Sequence, residues 1–112
     1  MSGTGGTVYD ATPPRSPCER LTFNTVLNSP VPDVVRAIEG TVKTGVPVQL
    51  ALVLEVRRDI QIVVAKYQGQ TAGSITSDAL LRLIECMEQQ NEYVADVKHV
   101  SGARVEVQVV RR

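Results

Sequence analysis

66-KYQGQTAGSITSDALLRLI-84 admits two readings, and the choice between them decides the fold. Glycines between a strand and a helix can form a phosphate-binding P-loop, a device of parallel α/β sheets. They can also form a hairpin return followed by a capped helix. A P-loop needs Gly, four residues, then Gly-Lys-Ser/Thr directly before the helix. Here three residues separate Gly69 from Gly73, Ser74 stands where Lys belongs, and Ile75-Thr76 delays the helix. Spacing and chemistry both fail. In the hairpin reading Gly69 supplies the positive φ of a tight turn, and Gly73 lets the following helix lie close on the sheet. Ile75 enters the core, and Thr76 or Ser77 caps a helix running to about Gln90, where Asn91 takes the left-handed conformation.

Working outward, the surrounding segments are short strands. In 47-PVQLALVLEV-56, Val48, Leu50, Leu52, Leu54 and Val56 share one face. The run 60-IQIVVAKY-67 is apolar on both faces, as in a strand buried within a barrel or beneath a helix. Residues 92-EYVADVKHV-100 and 103-ARVEVQVV-110 flank a Ser101-Gly102 turn. Upstream, 20-RLTFNTVL-27 alternates as a strand. Next, 31-VPDVVRAIEG-40 forms a helix with Val31, Val34, Val35 and Ile38 inward and Gly40 as its stop.

The order is β-α-β-β-β-α-β-β. Consecutive hairpins imply antiparallel pairing, so the expected class is α+β: a small curled antiparallel sheet or β-barrel with two helices. Residues 1–18, rich in Gly, Thr, Ser and Pro, read as a disordered leader before a single domain at 19–112. At 112 residues the chain is long enough to build a core without metals or disulfides.

The chain has 12 basic and 12 acidic residues and no net charge, so it lacks the basic surplus of a dedicated nucleic-acid binder. Any such binding must use a local patch. Cys18 and Cys86 read as free intracellular thiols. With no basic flank and apolar segment at the N-terminus, a cytoplasmic location is expected. No stretch has the length and apolarity of a membrane span.

Chemistry-bearing groups are sparse. The single His99 follows Tyr93, Ala95 and Val97 on one strand face and is expected to be partly buried, while Asp96 points to the opposite face, so no triad forms. One His and two distant Cys cannot assemble a standard zinc site. Glu85, Glu88 and Glu92 read as a solvated helix face. No cofactor is implied, and the expectation is a protein that is not an enzyme.

The Gly turn, the Gly73-Ser74-Ile75 strand end, the helix with paired leucines, the Tyr93-x-Ala95-x-Val97 strand and the Ser-Gly hairpin together resemble the HIRAN domain family. The likeness extends through 35-VRAIEGTVKTGVPVQLALVLE-55 and covers most of residues 20–110. It implies a small β-barrel with two helices that binds single-stranded DNA, in that family at a 3′ end. The family's loop typically reads Asn-x-Tyr-Asp-x-Asn-Ala-Ile. In 56-VRRDIQIV-63 the Asp is kept as Asp59 and the Asn loosely as Gln61, but Arg58 replaces Tyr and Ile62 replaces Ala. The Gly-Tyr-Ile strand end has become Gly-Ser-Ile. Losing rings removes stacking of about 1–3 kcal/mol per base.

The expected nucleic-acid site is therefore Arg57, Arg58, Asp59, Gln61, Lys66 and Tyr67. Arg57, Arg58 and Lys66 would meet phosphate. Tyr67, beside its turn, is the fairest stacking candidate among Tyr9, Phe23, Tyr67 and Tyr93, although packing is the commoner role for all four. The alternative is a protein-interaction or oligomerisation module that has lost nucleic-acid binding, pairing with another chain or itself through an exposed edge strand at 103–110.

Overall fold

The computed structural model describes residues 17–112. A one-turn helix α1 (Pro17–Arg20) precedes β1 (Phe23–Val26), α2 (Pro32–Lys43), β2 (Gln49–Arg57), β3 (Ile60–Tyr67) and β4 (Gln70–Ser74). After these come α3 (Leu80–Glu88), β5 (Tyr93–Ser101) and β6 (Arg104–Arg111). All six strands join one sheet in the order β1-β6-β5-β2-β3-β4, each neighbour antiparallel. The class is α+β, with two main helices, as the hairpin reading requires. Pro17 and Cys18 are helical; the rest of the segment read as a disordered leader, residues 1–16 with Tyr9, lies outside the described residues.

The sheet is open, where a curled sheet or closed barrel was expected. Its edge strands are the shortest, β1 with four residues and β4 with five. Beyond β1 the chain makes one isolated β-bridge to β4, Asn28–Ser74, in place of a ladder. Ser29-Pro30 then carries the chain away into α2, which leaves too little length for a ladder.

The bridge still protects the edge. Asn28 N donates to Ser74 O (2.8 Å), Ser74 N donates to Asn28 O (2.9 Å), and Val31 N donates to Ala72 O (2.8 Å). Backbone groups of β4 that would otherwise invite another chain are thereby satisfied. The segment 103–110 is no edge at all, since β6 lies between β1 and β5.

Period-two patterning places the core. Leu50 and Leu52 of β2 lie opposite Ala95 and Ala65, and Val105, Val107 and Val109 continue the layer. Val34, Val35 and Ile38 of α2 and Leu83 and Ile84 of α3 complete the same cluster. Val31, by contrast, is the exposed N-cap of α2.

Several local features differ from expectation for identifiable reasons. Helix α2 passes through Gly40 to Lys43, because a helical Gly costs only about 1 kcal/mol against Ala, and the left-handed residue beyond it is Gly45 (φ 84°). At the end of α3 the left-handed residue is Gln90 (φ 72°), whereas Asn91 donates from Nδ2 to Cys86 O (2.9 Å). Ser77 Oγ accepts from Ala79 N (3.1 Å) and so turns the chain just ahead of α3. The last hairpin closes through Gly102-Ala103, with Ser101 paired to Arg104.

A register shift between Val97 and His99 sets His99 opposite Glu106 and Val100 opposite Val105. The extra residue reverses the alternation, so His99 is exposed instead of sharing the inward face of Tyr93. Tyr93 is buried and donates its hydroxyl to Cys18 O (2.6 Å). Burial pushes its phenol pKa up, against a smaller opposing effect of Arg111 and Arg82.

The two cysteines are not free thiols: Cys18 and Cys86 form a disulfide with 5.5 Å between Cα atoms. They stand 68 positions apart in sequence, so only the tertiary fold reveals the pair.

Gly73 does permit a close approach, but by Leu27 and Asn28 of the strap at residues 27–31 and not by the following helix. A Cβ there would stand 2.9 Å from Asn28 O and 3.1 Å from Leu27 Cβ. Gly73→Ala is expected to lower the unfolding free energy by about 1–3 kcal/mol, through overpacking, in urea denaturation. Gly40 has open space around its missing Cβ. Gly40→Ala is expected to raise stability by about 0.5–1 kcal/mol in the same assay.

Candidate functional site

The β2–β3 hairpin carries all six expected site residues, and strand parity divides them. Its two-residue loop is Arg58-Asp59, which leaves Arg57 opposite Ile60 and Val56 opposite Gln61. Arg57, Glu55 and Lys66 therefore share the sheet face opposite the core. Gln61 and Tyr67 fall on the other face.

The two groups have separate partners. Arg57 Nη2 meets Glu55 Oε1 at 2.9 Å, and Lys66 Nζ lies 3.6 Å from Glu55 Oε2. Glu55, a residue the site reading missed, thus bridges the two cations. Gln61 Nε2 donates to Glu88 Oε2 of α3 (2.7 Å). The Tyr67 hydroxyl is 2.8 Å from Thr41 Oγ1 of α2, so its ring packs at the core margin and leaves the stacking position.

Arg57 does border a concavity. A hollow of about 240 Å³ is lined by Arg57, Ile62 and Val64 from the hairpin, Thr71, Gly73 and Ser74 from β4, and Ser29 and Val31 from the strap. It exists because the Asn28–Ser74 pairing brings the strap beside β4. Chemically it offers a guanidinium, three hydroxyl-bearing residues and an apolar wall. Of these only Arg57 was read from the sequence. Ser29, Thr71 and Ser74 had no signal there, since their convergence depends on pairing across 46 residues.

Arg58 and Asp59 stand at the hairpin tip, both in the left-handed region (φ 52° and 65°). Two-residue hairpin loops of this kind favour Asn-Gly or Asp-Gly, and an L-residue with a longer side chain is strained there. On either side of the tip Val56 and Ile60 are 67% and 63% exposed.

Comparison with known protein families, with curated proteins and with solved structures finds no match to this chain.

The tip geometry sets an expectation that does not depend on any ligand. Asp59→Gly relieves the left-handed strain and is expected to stabilise the domain by about 1 kcal/mol in chemical denaturation. A loss of stability would mean that the Asp59 side chain makes a contact worth more than the strain.

Proposed function

We propose that this domain is a non-enzymatic module that binds single-stranded nucleic acid, DNA in the first instance, at the hollow bordered by Arg57. The observation that carries the reading is the placement of the Arg57 guanidinium at the lip of a concavity with hydroxyls and an apolar wall. Guanidinium and hydroxyl donors suit phosphate and sugar oxygens, and Val31 and Ile62 offer a surface for one base. Glu55 occupies one Nη of Arg57 and leaves its other donors available. Arg58 and Lys66 add charge beside it. Tyr67 and Gln61 have no part in this version of the site, and its resemblance to the HIRAN family remains an analogy of pattern.

The local charge is small. Three basic residues (Arg57, Arg58, Lys66) against two acidic ones (Glu55, Asp59) leave +1. Binding is therefore weak and only mildly salt-dependent. With one or two phosphates neutralised, affinity should fall about 3- to 7-fold between 50 and 200 mM salt.

A second reading rests on Val56 and Ile60, whose exposure at the hairpin tip suits a protein partner or a second copy of the chain better than a phosphate backbone. Light scattering that gives a stable dimer, with no oligonucleotide affinity, would favour it.

Fluorescence anisotropy with a labelled single-stranded oligonucleotide at low salt is the test. Saturable binding should weaken about tenfold in Arg57→Ala, the loss of one charged hydrogen-bond donor, and stay unchanged in Tyr67→Phe. Binding that is absent, or indifferent to Arg57→Ala, rejects the proposal.

A further inference from the structure

The last turn of α3 is gripped from two directions. Cys86 is buried and joined through the disulfide to Cys18 of α1. Two residues on, Glu88 accepts the hydrogen bond from Gln61 of the β2–β3 hairpin. Between them the Cys86 carbonyl accepts from Gln89 N (3.1 Å), Asn91 N (3.2 Å) and Asn91 Nδ2 (2.9 Å). One covalent bond therefore connects the N-terminal turn to the helix end against which the hairpin is braced.

We propose that the Cys18–Cys86 disulfide is a redox latch: oxidised, it docks α1 and fixes the end of α3; reduced, it frees both and loosens the hairpin beside Gln61. Any effect on ligand binding rests on the function proposed above, but the latch itself does not.

The packing favours a latch over a staple for the whole fold. In the core cluster Leu50, Val63, Leu83, Val105 and Val107 come from β2, β3, α3 and β6, and Cys18 is its member from α1. α1 has only four residues, too few to persist unaided, because helix nucleation is unfavourable below several turns. Besides the disulfide, the ties of α1 and the residues after it include the packing of α1 on β6, the Tyr93–Cys18 hydrogen bond and the burial of Leu21. Breaking the S–S bond should therefore open the N-terminal turn locally and leave the sheet intact.

The chemistry is thiol–disulfide exchange with a dithiol reductant. Its thiolate attacks one sulfur, breaks the S–S bond and forms a mixed disulfide. Its second thiol then displaces the protein sulfur. Two electrons and two protons pass to Cys18 and Cys86, which leave as thiols while the reductant becomes a disulfide. Where a dithiol reductant is supplied, a lone disulfide of this kind is more often a sensor than a permanent bond.

Hydrogen–deuterium exchange of the full chain, oxidised and after dithiothreitol, tests the latch. The amides of Leu21, Gln89 and Asn91 should exchange roughly tenfold or more faster when reduced, with a smaller rise at Gln61, while Ala65 and Val107 stay protected. Cys18→Ser under oxidising conditions should reproduce the reduced pattern without reductant. The proposal is overturned if both thiols alkylate under oxidising conditions, if exchange is the same in both states, or if the core amides open together with the N-terminal turn. None of these readouts involves nucleic acid, so the two proposals fail separately.

Discussion

Two backbone hydrogen bonds between Asn28 and Ser74 hold the arrangement on which the rest depends. They join the chain leaving β1 to the far edge of the sheet, 46 residues away, and cover the polar edge of β4. The approach is possible only because position 73 has no Cβ. From this one contact follow the course of α2, the protection of a short edge strand and the hollow at Arg57. A six-stranded sheet ending in four- and five-residue strands would otherwise present two unsatisfied edges.

The sequence made the fold legible wherever period and turn chemistry agree. The alternation in 47–56 and 103–110, and Gly69 at its hairpin, specify antiparallel pairing without ambiguity. It was least informative where a single residue departs from pattern. The shift at Lys98 leaves the alternation of Tyr93, Ala95, Val97 and His99 looking unbroken, yet it turns His99 outward. Gly40 looks like a stop but is tolerated, because the helix is anchored by Val34, Val35 and Ile38. The disulfide was invisible, since nothing local links a proline-flanked Cys18 to Cys86 on α3.

The site was half legible. Counting outward from Arg58-Asp59 already places Gln61 opposite Val56 and separates it from Arg57, so parity alone could have divided the six residues. Glu55 was also within reach, two positions before Arg57 on the same face. The strap residue Ser29 and the β4 residues Thr71 and Ser74 were not, because their convergence is tertiary. Near-neutral charge around the hairpin follows from Glu55 standing between Arg57 and Lys66. Ion pairs at a partly exposed surface contribute little stability, so they act by tempering the local potential rather than by holding the fold.

Amide hydrogen exchange at Asn28, Val31 and Ser74 in the free protein tests the central contact most directly. The account requires these three amides to be protected to the level of neighbouring ladder amides such as Val64, because each donates within the sheet's edge. Exchange at the rate of an open turn would mean that the strap is not seated on β4. The hollow beside Arg57 would then lose the wall on which its chemistry depends.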